Sequence, residues 1–406
     1  MAAFDTTAAT PILKTKYQSK KVQQMAYKKS PLLGMIPKDP DGPGDQKNFV
    51  MRYARVSGGS HNFGTAQANA GPSSYKKFAV TTVTDYAVAS VAGKTIAECK
   101  GNAQSLVNAL SGELDSAIQT CGESAEIDLY GNGGGARAVI DGASTMAGAT
   151  ITLSKPADIA RFDKGMWVQL ASTDGTSGSV RGGHVQISGV DRDLGTLTTT
   201  GGNWSTQIPG ALNTDYIFRE GDFGAAMSGL GAWIPSSAPG ATAFFGVDRT
   251  DDTTRLGGVR YNGSGGPQDE VLIEAVARVL KENGTSDTLL ANNLDVSPLV
   301  KLLGTKREYT SADSTLAGVG YKAIEVETGA GPVKIVSDPK CPKGTAWLLQ
   351  MDTWELVSSG GDVPHILDLD GNTWLREAGA DAYQIRVGYY GNVGCYAPGW
   401  NARITW

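Results

Sequence analysis

Three observations predict an α+β chain carrying a small all-β module. A helical stripe begins at Thr95 and is flanked on both sides by alternating, strand-like runs. Between 149 and 222, short β-like runs separated by glycine-rich turns carry no helical signal. Glycine makes up 53 of 406 residues, about 13% against the usual ~7%.

The composition bounds the rest. The chain is 40% apolar and 19% charged, with 36 basic and 41 acidic residues for a net charge of −5, so the molecule as a whole is not a basic nucleic-acid binder. No run approaches 18 apolar residues, and MAAFDTTAATPILK lacks the apolar stretch of a secretory signal; no membrane partner is expected. Cys99, Cys121, Cys341 and Cys395 are scattered without a close pair, which fits free thiols in a reducing cytoplasm.

Charge is uneven along the chain. Residues 1–38 hold seven lysines (Lys14, Lys16, Lys20, Lys21, Lys28, Lys29 and Lys38) against Asp5, or +6, leaving −11 for the remainder. With few large apolar groups and with Pro31, Pro37, Pro40 and Pro43 at its end, 1–45 reads as an extended arm with one short helix near 16–29. Its Lys14, Lys16, Lys20, Lys21, Lys28 and Lys29 are candidates for contact with phosphates.

A long hairpin over 46–92 follows. KNFVMRYARV (47–56) alternates with period two, 57–74 is a polar tip, and YKKFAVTTVTDYAVASV (75–91) returns with Phe78, Val80, Thr82 and Thr84 on one face. A two-stranded ribbon of this length is marginal in water and exposes its edges, so another surface has to complete it.

Thr95-Ile-Ala-Glu98 is a capping box. Ile96, Cys99, Ala103, Leu106, Leu110, Leu114, Ile118, Cys121, Ala125 and Leu129 then recur at three- and four-residue steps, one stripe on a helix of about 35 residues, roughly 50 Å long. GNGGG (131–135) stops it. The helix carries Glu98, Glu113, Asp115, Glu123 and Glu126, and the hairpin flanks carry Lys47, Arg52, Arg55, Lys76 and Lys77. Opposite signs on a ribbon and a long helix suit contacts between copies of the chain.

The runs at 151–153, 166–170, 184–190, 195–200 and 215–219 suggest a small sandwich or barrel. Residues 223–266 are weakly patterned. A helix follows with Pro267 near its first position, Asp269 and Glu270 in the first turn and Gly284 just past its end, and a shorter one is expected at 297–304. The last third is β-rich and holds Trp347, Trp354, Trp374, Trp400 and Trp406.

Motifs for chemistry are missing. His61, His184 and His365 are widely separated, no CxxC occurs, and neither a nucleophile elbow nor a phosphate loop is present, so no catalytic, metal or cofactor site is expected. GNGGGA follows a helix, where a dinucleotide fingerprint needs a strand before it. Asp368-Leu-Asp370-Gly371 with Glu377 matches part of a calcium loop, but Ile366 stands where Asp is required, and a hairpin turn accounts for it better.

Taken in order, KNFVMRYARV…YKKFAVTTVTDYAVASV, the capped helix ending in GNGGG, DEVLIEAVARVLKENGTSDTLLANN, WLLQMDTWELV and DAYQIRVGYYGNVGCYAPGWNARIT resemble the major capsid proteins of tailed bacteriophages, the Hong Kong 97 shell fold, over about 330 residues. The resemblance implies an N-terminal arm (1–45), an extended loop (46–92), a peripheral domain with a spine helix (93–148) continuing at 223–266, an axial domain (267–366) and C-terminal strands (367–406). Residues 149–222 would be an inserted β domain of the kind some members display on their outer surface. It implies a non-enzymatic subunit that assembles, in hexamers and pentamers, with a portal, a scaffolding protein and in some members a decoration or cement protein, into an icosahedral virion shell around double-stranded DNA in the bacterial host cytoplasm. The chain starts directly at the arm, without the cleaved scaffolding segment of some members, so a separate scaffold, or assembly without one, is expected. The tip 57–74 contains no lysine, so the covalent cross-link of some members is not expected. The alternatives are an encapsulin-like nanocompartment and a monomeric carbohydrate-binding surface protein.

Overall fold

The computed structural model describes residues 30–40, 42, 46–93, 103–303, 324–368, 371–377 and 379–406, with only the main chain described for 103–112, 303 and 324. The chain enters through one short helical turn, Pro31–Met35, and strand β1 (Lys38–Asp39). Strands β2 (Gln46–Ala54) and β3 (Ser74–Thr81) form the ribbon, with a helical turn at Phe63–Ala68 in its tip, and β4 (Val83–Ala92) follows. Helix α1 (Ala103–Tyr130) buries Leu114, Ala117, Ile118, Cys121, Ala125 and Leu129 along one side, the stripe that the three- and four-residue spacing marks out. Past Tyr130, Gly133 and Gly135 adopt φ of +87° and +84°, which glycine tolerates and a helix does not.

Next come β5 (Ala136–Val139), β6 (Thr150–Thr152), β7 (Trp167–Ala171), β8 (Val185–Asp191), β9 (Thr196–Thr199) and β10 (Tyr216–Arg219), then β11 (Val259–Asn262), helix α2 (Gln268–Lys281), β12 (Thr288–Ala291) and helix α3 (Asn293–Leu303). The remaining strands are β13 (Ile324–Thr328), β14 (Gly331–Ser337), β15 (Thr345–Leu349), β16 (Trp354–Ser358), β17 (His365–Ile366), β18 (Leu375–Arg376), β19 (Ala382–Cys395) and β20 (Ala402–Thr405).

Among the described residues these strands make three six-stranded sheets besides the ribbon. The first is built on the 14-residue β19, which pairs antiparallel with β4 from Ala382↔Ala92 to Gly391↔Val83 and also with β16, β17 and β18, while β1 joins β16 in parallel. Helix α1, the ribbon base and Leu32 and Leu33 of the entering turn close its core, where Trp233 meets Trp354 at 6.4 Å. The second sheet, in the order β11-β20-β15-β12-β14-β13, buries Val271, Leu272, Ala275, Val276 and Val279 of α2. The third runs β5-β10-β7-β8-β9-β6. It closes through a bridge from Ile140 to Leu153 and through Ser154 N–H donating to Val139 O at 2.9 Å, so it is a barrel filled by Phe162, Leu170, Trp204 and Ile217.

The structure changes several expectations. The return strand 75–91 is not continuous: it breaks at Thr82, and its second half leaves the ribbon for the first sheet. The barrel opens with β5, which pairs with β10, so the β module starts at 136 rather than 149. Strands β16 and β17, placed by sequence in the axial segment 267–366, belong instead to the first sheet with α1, and β20 returns to the second. Pro267 caps α2 from outside, and the left-handed position at its end is Asn283, φ +65°, not Gly284. Gly284 is required for closeness, because a Cβ there would lie 2.7 Å from Val279 and 2.8 Å from Trp400. Among the described residues, β17 and β18 both pair with β19 and not with each other, whereas the sequence predicts a hairpin between them; Asp370 of the expected turn lies outside the described residues. The capping box at 95–98 and the six arm lysines lie outside the described residues.

Candidate assembly surface

The ribbon has two faces, set by its register. Phe49 lies opposite Phe78 and Met51 opposite Lys76, while Val50 lies opposite Lys77 and Arg52 opposite Tyr75. Because side chains alternate along a strand, Phe49, Met51, Phe78 and Val80 share the inward face, and Val50, Arg52, Tyr75 and Lys77 share the outward one.

The inward face anchors the ribbon to its own chain. Phe49 and Phe78 are fully buried. Phe49 stacks on Tyr396 at 4.7 Å and lies over Gly394, where a Cβ would sit 2.0 Å from its ring. Phe78 meets Trp233 at 5.1 Å. Lys47 Nζ reaches Asp39 at 2.5 Å and Glu355 at 2.8 Å, and Lys76 Nζ reaches Asp251 at 2.7 Å.

Among the described residues, nothing of the kind covers the outward face and the tip. Val50 is 54% exposed, Tyr75 59% and Phe63 82%, and the tip helix Phe63–Ala68 buries no residue. The tip is held only locally: Asn62 Oδ1 accepts from Thr65 N–H at 3.2 Å, and Ser57 Oγ donates to Asn69 O at 2.8 Å. Arg52, Arg55 and Lys77 are exposed and form no ion pair among the described residues.

The acidic candidates on α1 separate in the same way. Glu113 is exposed, Asp115 is half-buried, and Glu123 pairs with Lys340 at 3.2 Å. Glu126 is not a contact between subunits: it is fully buried, and its carboxyl accepts Leu32 N–H at 3.1 Å and Leu33 N–H at 3.0 Å. Burial, then the neighbouring Asp338, push that carboxyl well above the usual range. Glu126 thus fastens the entering turn to α1, and Tyr130, on the same helix, donates its hydroxyl to Asp338 at 2.7 Å, tying α1 to the segment after β14. Glu98 lies outside the described residues. The pattern holds a signal for Glu126 nonetheless, since it stands eight residues after Ile118 and hence on the apolar stripe.

A second ionic joint fixes the barrel. Arg219 of β10 bridges Asp85 of β4 at 2.5 Å and Asp222 at 2.8 Å, while the buried Arg137 of β5 bonds Ser124 of α1 at 3.3 Å. Sequence reading missed this joint because its members lie far apart in the chain. Among the described residues, no group of three or more His, Cys, Asp or Glu could hold a metal ion, and no helix is long and apolar enough to cross a membrane.

Residues 212–367, from just before β10 through β17, match the family described as SU10 major capsid protein. The whole chain is similar in fold to a subunit of the capsid of cyanophage A-1(L), with a TM-score of 0.54 at 11% identity, covering 96% of this chain and 94% of that one. This is a phage major capsid protein of the Hong Kong 97-like fold. Looser likenesses, which carry no weight, are to a chain from Mycobacterium phage Ogopogo (TM-score 0.41, 11% identity, 93% and 92% covered) and to the SrpI encapsulin of Synechococcus elongatus PCC 7942 (0.46, 10%, 100% and 96%). No curated protein sequence matches the chain. The uncovered outward face and tip belong to the ribbon, the segment that the resemblance reads as an extended loop.

Proposed function

We propose that this capsid protein self-assembles in hexamers and pentamers into the icosahedral head shell of a tailed double-stranded DNA phage. One observation carries the reading: the ribbon is locked to its own subunit by Phe49, Phe78 and Lys47, yet its outward face and tip expose Val50, Phe63 and Tyr75 beside Arg52, Arg55 and Lys77, which form no ion pair among the described residues. An apolar and cationic strip on a projecting arm fits a neighbouring subunit that supplies apolar cover and carboxylates. The exposed Glu113 is an acidic candidate for the receiving side. Lys14, Lys16, Lys20, Lys21, Lys28 and Lys29 would face the packaged DNA, whose phosphates attract any basic arm without regard to sequence. Assembly in the host cytoplasm around a scaffolding protein and a portal, with a decoration protein outside, completes the proposal, and the barrel is the candidate for outer display.

Electron microscopy with light scattering on the expressed protein tests it. Closed particles of megadalton mass are expected. A monodisperse monomer at every concentration would sink the reading, and shells filled with an enzyme instead of DNA would move it to a nanocompartment.

A further inference from the structure

We propose that the cavity where α1, the barrel and the second sheet meet binds a small phosphate-bearing anion. The cavity has a volume of about 520 Å³, within the range of small-molecule sites. Its wall includes Arg161, Arg249 and Arg403 against a single acid, Asp174, an excess of two positive charges.

The four charged groups are not equally occupied. Asp174 is held by Asn132 Nδ2 at 2.7 Å and by the Thr176 N–H and hydroxyl at 3.1 and 2.6 Å. Arg161 donates to the carbonyls of Arg137 and Lys340 at 2.7 and 3.2 Å and has Asp158 at 3.5 Å. Arg249 is 8% exposed and has no carboxylate partner among the described residues. It donates through Nη1 to the carbonyls of Ala232 and Trp233 at 3.0 and 3.1 Å, lies 4.3 Å from the Phe244 ring, and leaves its Nε–H without an acceptor. Arg403 lies 5.2 Å from the Trp347 ring, and among the described residues its guanidinium makes neither a hydrogen bond nor an ion pair. The Trp347 indole N–H is unpaired as well.

A guanidinium withdrawn from water without a counter-charge is costly, and an unmet N–H adds to the cost. Burial accordingly lowers Arg249 to about 10, helped by Arg260, and lowers Arg403. An oxyanion in the cavity would relieve both groups at once. Phosphate suits the task, because a guanidinium presents paired donors that match two phosphate oxygens. Size favours a small ligand over a macromolecular surface, since Arg249 is buried in a concave wall built by three parts of one subunit. The competing occupant is an acidic side chain from a second copy. The inference does not depend on shell formation.

Isothermal titration calorimetry and thermal unfolding of the full chain, with inorganic phosphate and pyrophosphate against sodium chloride at matched ionic strength, provide the test. The expected result is saturable binding at about 1 mM or tighter, with a melting temperature that rises with ligand concentration as mass action requires. Arg403→Gln should bind at least tenfold more weakly. Should that variant fail to fold, Arg403→Lys, which keeps the charge and loses the paired donors, should still weaken binding several-fold. Equal effects from chloride, or unchanged binding in Arg403→Lys and Arg403→Gln, overturn the proposal. So does a wild-type chain that ignores both phosphates while Arg403→Gln stops copies from associating, which would assign the cavity to a neighbour's carboxylate.

Discussion

The two ends of one ribbon use the same kinds of residue to opposite ends. At its base, Phe49 and Phe78 are fully buried and Lys47 is clamped between Asp39 and Glu355. At its tip Phe63 is 82% exposed, and on the outward face Lys77 forms no ion pair among the described residues. Aromatic burial and charge pairing are satisfied within the subunit at one end and left open at the other. The base is a matter of folding, and under the proposed function the tip is a matter of association. Substitutions at the two ends should therefore register in different experiments.

The largest effect is expected at the open end. Reversing two charges together, Arg52→Glu with Lys77→Glu, should abolish or nearly abolish particles in electron micrographs, because each contact is repeated in every subunit of a shell. Subunit stability should change by less than about 0.5 kcal/mol, as for other exposed positions. Normal particles would detach the outward face from assembly, and an unfolded subunit would erase the contrast between base and tip.

At the closed end the order is reversed. Phe78→Ala removes a ring packed against Trp233 and Phe244 and should cost about 3–5 kcal/mol, read from the urea midpoint of the unassembled subunit. A smaller loss of about 1–3 kcal/mol is expected for Gly394→Ala, whose new methyl would lie 2.0 Å from the Phe49 ring and force it to move. If Gly394→Ala were neutral, Phe49 would not be the anchor.

How much of this was legible in the sequence follows the same division. The α1 stripe through Ile118, Cys121, Ala125 and Leu129 shows in its spacing because one face of one helix meets one core. Glu126 shares that face, yet a charged residue on a helix is ordinarily expected outward; only the unpaired N–H groups of Leu32 and Leu33, more than ninety residues away, turn it inward. The break at Thr82 is silent because Val80-Thr81-Thr82-Val83 keeps the chemistry of a strand while changing partners from β2 to β19. Strand β5 is too short to show alternation, and its partner β10 lies about eighty residues on. The arginine-lined cavity and the Arg219 joint are gathered from distant segments, so no local pattern announces them. On the ribbon, by contrast, Val50-Met51-Arg52 and Tyr75-Lys76-Lys77 display both faces, and the inward one drew attention because it is the more apolar.

Acidity should act on the closed interior and not on the tip. Asp128, near the end of α1, lies beside the joint formed by Arg137, Arg219, Asp222 and Asp85. Burial raises its carboxyl from 3.8 to about 7, with Asp222 and Asp85 pushing the same way and Arg137 and Arg219 opposing. Between pH about 4 and about 7 the folded subunit keeps a proton that the unfolded chain has released. The contribution of Asp128 to stability therefore falls as pH rises through that window and levels off above it. Asp128→Asn, which stays neutral, should exceed the wild type by less near pH 5, early in that window, than near pH 8, above it. The gap should be on the order of 1 kcal/mol, less than the full displacement implies because Asp128 is only half-buried by accessible surface. Urea midpoints of both proteins at the two pH values decide the matter. A gap of the same size at pH 5 and pH 8 would mean that the carboxylate near the end of α1 carries no burial cost.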